Sequence, residues 1–238
     1  MKTIFAILTL TFLLSGCAST TAPYFNVFVD SISAPSSEEL KKYVLLPNNK
    51  GVTVDDLQFQ EYASYVDRAL LSQGFIKAND FNDANVAIFL GYGIGEPQTN
   101  QYTYSLPTWG KTGVASSNTY GTVSTYGNTA TVSSNTTYTP TYGVTGSTTH
   151  VGSYTTFTRY LLINALDLNE YKTNDKQKQI WKTTIVSTGS SGDLRQVLPV
   201  LVAASKPYVS KNTGKKIKVS LQEQDQRVLN IKGITTNQ

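Results

Sequence analysis

Hydrophobic and polar residues alternate along several short segments of the chain, and this pattern predicts a sheet. Tyr24–Ile32 places Phe25, Val27 and Val29 on one face of a strand. The dense apolar segment "NVAIFLGYGIG" is typical of a strand buried on both faces, and "FTRYLLINALDLNEY" predicts a second strong strand. Further strands are expected at Tyr43–Pro47, in "QIWKTTIVST" and in "KIKVSL".

Helical spacing is clearest over residues 55–73. Two aspartates at the start suit the positive end of the helix dipole, and Gly74 suits a left-handed stop. A second helix is predicted in "SSGDLRQVLPVLVAASKPYV", where Pro199 indicates either a kink or a start near Leu198. The apolar stripe of the first helix comprises Phe59, Tyr62, Ala63, Val66, Ala69 and Leu70.

Strands and helices in this order predict an α/β (α+β) fold with two layers, a sheet plus helices, and a long insert. The insert covers residues 97–158, where Lys111 is the only formal charge and Thr, Tyr and Gly recur. Disordered segments are usually poor in aromatic and β-branched residues, so this composition favours long twisting hairpins or an extended flap over a mobile coil.

The insert also carries the residues that we expect to contact a partner. Tyrosine rings beside threonine hydroxyls suit stacking on sugars, whereas uncharged strands suit edge-to-edge pairing with protein. Both alternatives use the same candidate residues, which are Tyr120, Tyr126, Tyr138 and Tyr142.

The first residues of the chain have the pattern of an export signal. Lys2 precedes an apolar run over residues 4–14, which is shorter than the roughly 20 residues that a spanning helix needs. The run ends in Leu14, Ser15, Gly16 and Cys17.

This ending resembles the lipobox of bacterial lipoproteins. The resemblance implies cleavage before Cys17, a diacylglycerol in thioether linkage on its sulfur and an acyl chain on the new amino group. Two or three acyl chains anchor a protein durably, so membrane lipid is the first expected partner. We therefore expect a signal peptide over residues 1–16, a lipidated tether over 17–23 and a single α/β domain over 24–234.

The residue after the cysteine indicates which membrane holds the anchor. In lipoproteins of Gram-negative bacteria an aspartate there commonly signals retention in the inner membrane, and this chain has Ala18. We expect an outer-membrane location with the domain on the periplasmic face. Nucleic acid is not an expected partner, because an exported protein with a net charge of only +4 rarely meets it.

The inventory of reactive side chains argues against catalysis. His150 is the only histidine and Cys17 the only cysteine, which excludes Cys–His chemistry and a His-rich metal site. The glycines of "GYGIGE" lack the following helix that a phosphate loop requires, so we expect them to mark a strand end or a bulge. Glu96 beside them is the remaining acid–base candidate. We expect no enzyme, no metal and no cofactor other than the lipid on Cys17.

The order of these segments resembles a group of uncharacterised bacterial outer-membrane lipoproteins. The resemblance is carried by Gln73, Gly74 and Phe75, by the "DAN" turn at residues 83–85 and loosely by Lys176 with Trp181. It implies a fold and a compartment rather than an activity.

Two functional hypotheses follow from the anchor and the insert together. The first is a structural or protein-interaction lipoprotein of the cell envelope, whose insert pairs with itself or with another envelope protein. The second is a module that binds peptidoglycan or polysaccharide.

Overall fold

The computed structural model describes residues 22–234. Cys17 and the other lipobox residues lie outside that range. The described chain forms two compact units, residues 99–155 and the remaining residues 22–98 with 156–234. No helix within residues 22–234 is long and apolar enough to cross a bilayer.

Eight strands pair into one mixed sheet. In the order β3-β2-β4-β6-β7-β1-β8 neighbouring strands are hydrogen-bonded, and β5 pairs with β6. β2 runs parallel to β3 and β4, whereas β4–β6, β6–β7, β7–β1 and β1–β8 are antiparallel. The strands are β1 Phe25–Ser33, β2 Lys42–Pro47, β3 Ile76–Lys77, β4 Val86–Ile94, β5 Gln98–Tyr126, β6 Thr129–Asp167, β7 Gln179–Gly189 and β8 Ile217–Leu221.

Four α-helices belong to the larger unit, and each begins after an aspartate. The helices are α1 Leu57–Ser72, α2 Leu168–Asn174, α3 Leu194–Ser205 and α4 Gln226–Lys232, with 3₁₀ turns at Pro35–Glu38 and Lys206–Tyr208. The capping side chains accept hydrogen bonds from N–H groups of the first turn, a contact typically worth about 1 kcal/mol. These caps are Asp56, Asp167, Asp193 and Asp225.

The main core lies between one face of the sheet and the helices α1, α3 and α4, which contact one another. Alternate residues of the strands point into it, among them Val29, Ile88, Ile163 and Ile185, all at most 1% exposed. All six residues of the stripe predicted on the first helix are buried there. The α/β fold with a sheet layer and a helix layer is therefore confirmed.

The opposite face of the sheet carries a smaller apolar cluster. Its buried members are Ala78, Ala84, Ala87 and Leu168, with Val44, Leu46 and Phe89 packed against them. The short helix α2 contacts β4 on this side through Leu168. Alternate residues of β4 belong to the two clusters, as its dense apolar sequence predicts, and residues of β2 contribute to both as well.

One prediction about a chain boundary is wrong, and one of two alternatives for another boundary is excluded. "LDLNEY" does not continue the strand, because β6 ends at Asp167 and α2 begins at Leu168. The Asp167 carboxylate accepts hydrogen bonds from two N–H groups of α2, and this cap ends the strand. Of the two alternatives for Pro199, a helix start near Leu198 is excluded, since Asp193 caps α3 and Pro199 lies inside the helix.

The glycines of "GYGIGE" do not mark a bulge. Gly91 and Gly93 lie inside β4, which pairs with β6 in unbroken register from Val86 to Ile94. Only Gly95 lies at the strand end, where its N–H donates to the carbonyl of Thr158. Of the three glycines expected to mark a strand end or a bulge, Gly95 alone lies at a strand end.

Candidate functional site

The insert folds into one β-hairpin, which we call the ribbon and define as residues 99–155. Its two strands, parts of β5 and β6, meet at a two-residue turn formed by Gly127 and Asn128. Gly127 has φ +60°, a left-handed conformation that glycine adopts without strain and that suits the twist of a hairpin. At about 3.3 Å per residue, each strand of the ribbon has a contour length of about 90 Å. The hairpin alternative is confirmed over the mobile coil.

The ribbon is held by the backbone pairing of β5 with β6 and by cross-strand hydroxyl contacts rather than by a core. Side-chain oxygens of Ser and Thr residues on the two strands lie within hydrogen-bond distance at four levels along it. These pairs are Thr99–Thr155 at 3.2 Å, Ser105–Thr149 at 3.4 Å, Thr112–Thr141 at 3.3 Å and Thr119–Thr136 at 2.9 Å. Cross-strand pairs of this kind contribute roughly 0.2–1 kcal/mol each, so the threonine-rich composition replaces apolar burial.

No residue of the ribbon is buried. Both of its faces are solvent-exposed, and it carries a single formal charge, that of Lys111. A two-stranded hairpin without a packed face is marginally stable in water. The ribbon therefore has no packed face of its own among the described residues.

The four tyrosines predicted to contact a partner are all exposed. Tyr126 beside the turn is 93% exposed, and the exposed fractions of Tyr120, Tyr138 and Tyr142 lie between 63% and 76%. Tyr120 and Tyr126 lie six residues apart on one strand, and alternation places them on the same side of it. No ring contact joins any two of these four within residues 22–234.

An aromatic cluster nearer to the base of the ribbon escaped sequence reasoning. The Tyr102 ring centroid lies 5.9 Å from that of Tyr104 and 6.1 Å from that of Tyr154. Tyr104 stacks on the imidazole of His150 with 5.5 Å between centroids. The alternation in "QYTYS" indicates that Tyr102 and Tyr104 share one side of a strand. Their contacts with Tyr154 and His150 follow only from the register of the hairpin.

A glycine makes room for this cluster. A Cβ added at Gly152 would stand 2.6 Å from Cζ of Tyr102, so the Tyr102 ring lies across the backbone of the opposite strand. In this contact the Tyr102 ring stays half-exposed and covers Gly152, which has no side chain to pack there. The base of the ribbon therefore presents a cluster of half-exposed aromatic rings that are tilted against one another.

Six acidic side chains of the larger unit form ion pairs. Hydrogen bonds from Arg195, Lys42 and Lys232 hold the pKa values of Glu61, Asp83 and Glu223 below their ordinary range. A general acid of a hydrolase needs the opposite shift. Glu96 is exposed between β4 and β5. Among the described residues, no three His, Cys, Asp or Glu side chains converge to hold a metal ion.

Comparisons with known proteins add little to this description. No protein-family model matches the chain, and no curated protein matches it. Among solved structures it is similar to a PDZ domain protein from Parabacteroides distasonis, at 10% sequence identity and a TM-score of 0.37. The match covers 86% of this chain and 41% of the other, so the chain spans less than half of that protein's length.

Proposed function

We propose that this protein is a membrane-anchored bacterial lipoprotein with a non-catalytic structural or protein-interaction role in the cell envelope. The anchor is the acylated Cys17, the location is the periplasmic face of the outer membrane, and the interaction element is the ribbon. The observation that carries the proposal is a long ribbon with almost no charge and no strand paired to its outer edges within residues 22–234.

Unpaired edges favour pairing with a further strand. The outer edges of the ribbon present backbone N–H and C=O groups, and such edges join other chains unless charge, proline or a covering element prevents it. The protection here is local: Pro107 and Pro140 have no N–H to donate, and Lys111 is the one charge. A second copy of the chain offers two equally uncharged edges and is the partner that we propose first.

Substitutions of single ribbon residues test this pairing while the ribbon itself stays in the chain. Val123 and Val132 lie on the two strands and are about two-thirds exposed. Val123→Lys together with Val132→Lys should convert an assembly to a monomer, because edge lysines oppose further strand pairing. The readout is molar mass by light scattering of the detergent-solubilised full chain.

A matched control separates pairing from a general effect of charge. Val54 is exposed in the larger unit, and Val54→Lys should leave the molar mass unchanged. If the unsubstituted chain is monomeric at every concentration, or if the ribbon variant assembles equally well, self-pairing is wrong. Replacing residues 100–154 by Asn-Gly, which joins Thr99 and Thr155, then shows whether capture of other envelope proteins depends on the ribbon.

The anchor has its own test. Cys17→Ser should abolish incorporation of labelled palmitate and move the protein from the membrane fraction to the soluble fraction. Incorporation that persists in this variant, or membrane association that does not change, would contradict the proposed anchor while leaving the ribbon's role open to the first experiment.

The aromatic cluster favours a second candidate function, binding of peptidoglycan or another envelope polysaccharide. Tyr102, Tyr104 and Tyr154 present half-exposed rings close together, an arrangement that suits stacking on sugar rings. Tyr104→Ala should then reduce pulldown on isolated sacculi while the molar mass stays that of the unsubstituted chain. Loss of assembly with sacculus binding intact supports the first function instead.

A further inference from the structure

One arginine is buried without a carboxylate. Arg159 on β6 points to the helix-covered side of the sheet and is 1% exposed. Its Nη1 donates to the carbonyls of Phe157 at 3.1 Å and Ser191 at 3.2 Å, and its Nη2 donates to Oγ of Ser187 at 3.1 Å. Its Nε has no hydrogen-bond partner among the described residues.

The charge of this guanidinium is not balanced nearby. Six ion pairs occur among residues 22–234, and none of them includes Arg159. Burial alone lowers the pKa of Arg159, with no acidic neighbour acting against it. Arginine stays protonated in proteins, so this buried cation costs free energy that a bound anion would offset.

The fold makes space for the guanidinium at Gly189. A Cβ there would stand 3.1 Å from Nη1 and 3.3 Å from Nη2 of Arg159. A residue with a side chain at this position of β7 would press against both nitrogens. Because Gly189 has no side chain, the charged guanidinium of Arg159 fits inside the domain. A purely structural core would place apolar atoms there.

Arg159 lines a cavity of about 340 Å³ in the larger unit. Two serines and a glutamine border it beside the arginine, and the aromatic residues just before β1 and at its first position line it as well. No acidic residue lines it. The lining residues that matter here are Arg159, Ser190, Ser191, Gln196, Tyr24 and Phe25.

We propose that this cavity is a binding site for a small organic carboxylate with an apolar body. The guanidinium has five N–H donors, of which three are used, so two donors on adjacent nitrogens match the two oxygens of a carboxylate. The rings of Tyr24 and Phe25 suit the apolar body. Since Nε is sealed from solvent in the structure, the Arg159 side chain must shift toward the cavity to engage the ligand.

Benzoate is the probe, and benzamide is its neutral counterpart. At constant ionic strength, benzoate should raise the Tm of the full chain in a saturable manner, whereas benzamide should not. Arg159→Gln should weaken benzoate binding at least tenfold. Arg227→Gln removes an exposed guanidinium on α4 and should leave the affinity unchanged.

Nuclear magnetic resonance of the unsubstituted chain keeps the proposal testable if Arg159→Gln does not fold. The Nε–Hε resonance of Arg159 should move on titration with benzoate, and the other arginine resonances should not. The proposal is overturned if benzoate moves neither this resonance nor the Tm, or if benzamide acts equally. It is also overturned if inorganic phosphate gives the Arg159-dependent shift and benzoate does not, since the ligand is then a phosphate.

Discussion

The phenol ring of Tyr160 on β6 lies directly over Gly93 on β4. The two residues are paired across the strands, and a Cβ added at Gly93 would stand 2.5 Å from Oη and 2.7 Å from Cζ of that ring. Tyr160 thus covers the strand position that has no side chain, on the sheet face opposite the main core.

Gly93→Ala should therefore displace the Tyr160 ring and lower the free energy of unfolding by about 1–3 kcal/mol. Gly95→Ala is the matched control: its Cβ would meet nothing closer than 3.6 Å, and we expect a change within about 0.5 kcal/mol. Urea unfolding measures both. Adding Tyr160→Ala to Gly93→Ala should give a non-additive result of about 0.5–3 kcal/mol, and strict additivity would argue against the contact.

Alkaline unfolding should depend on Tyr43. Its hydroxyl donates to Oδ1 of Asp67 at 2.7 Å, and burial, followed by this hydrogen bond and the Asp67 charge, raises the pKa of Tyr43 far above its ordinary value. The unfolded state loses the phenol proton near pH 10 while the folded state keeps it. The contribution of Tyr43 to the free energy of unfolding is therefore fully present below about pH 10 and falls by about 1.4 kcal/mol per pH unit above it.

Tyr43→Phe should reduce the slope of the free energy of unfolding against pH by the equivalent of about one proton, measured by urea unfolding from pH 9 to 11. Tyr171→Phe, at a half-exposed position on α2, should leave the slope as it is. Parallel curves for Tyr43→Phe and the unsubstituted chain would show that Tyr43 does not set the pH dependence.

The pair of Lys232 and Glu223 predicts an effect on the acidic side. Lys232 Nζ lies 2.8 Å from Glu223 Oε1, and this hydrogen bond lowers the pKa of Glu223. A lowered carboxyl pKa adds stability above the unfolded value of about 4.3, and that stability is lost as the pH falls through the folded value. Lys232→Met should cost about 0.5–1 kcal/mol at pH 7 and almost nothing near pH 3. Lys176→Met, at an exposed position, should show no such pH dependence, and equal losses at both pH values would contradict the prediction.

Hydrogen exchange should divide the chain into fast and slow parts. Because no ribbon residue is buried, its amides should exchange through local openings of low free energy, whereas β4 and β7 should exchange only on global unfolding. Raising the concentration until copies pair should slow the outer-edge amides of the ribbon. Fast exchange that never responds to concentration would count against self-pairing.

The two tryptophans report on the two units separately. Trp109 in the ribbon is 70% exposed, and Trp181 in the core is 1% exposed. Iodide should quench the fluorescence of Trp181→Phe, which retains Trp109, and should leave Trp109→Phe nearly unquenched with emission at shorter wavelength. Similar quenching of the two variants would contradict the exposed ribbon.

The local sequence pattern was sufficient to predict the helices and strands that bury one face. The helical spacing from Phe59 to Leu70 predicted the buried side of α1 residue by residue, because one periodicity and one packing surface determine it. The β-prone composition of the insert likewise predicted a hairpin, since threonine and tyrosine leave few other ordered choices.

Features that depend on distant neighbours were out of reach. The strand after Phe157 shows no sign in sequence that Arg159 is buried, because its burial comes from β7 and the loop before α3. The contact of Tyr104 with His150 needs the register of a hairpin whose turn lies more than twenty residues away. The end of β6 could not be predicted either, because it is set by the helix cap Asp167, which lies among residues with a strand-like pattern.

The ribbon leaves and returns through facing residues, with the Oγ1 atoms of Thr99 and Thr155 3.2 Å apart. Adding or deleting facing residue pairs beyond them would alter the reach of the ribbon by about 3.3 Å per pair and would disturb no side chain of the main core. The length of the ribbon can thus be changed independently of the fold, so variants with shorter or longer ribbons would measure how far the proposed pairing depends on that length.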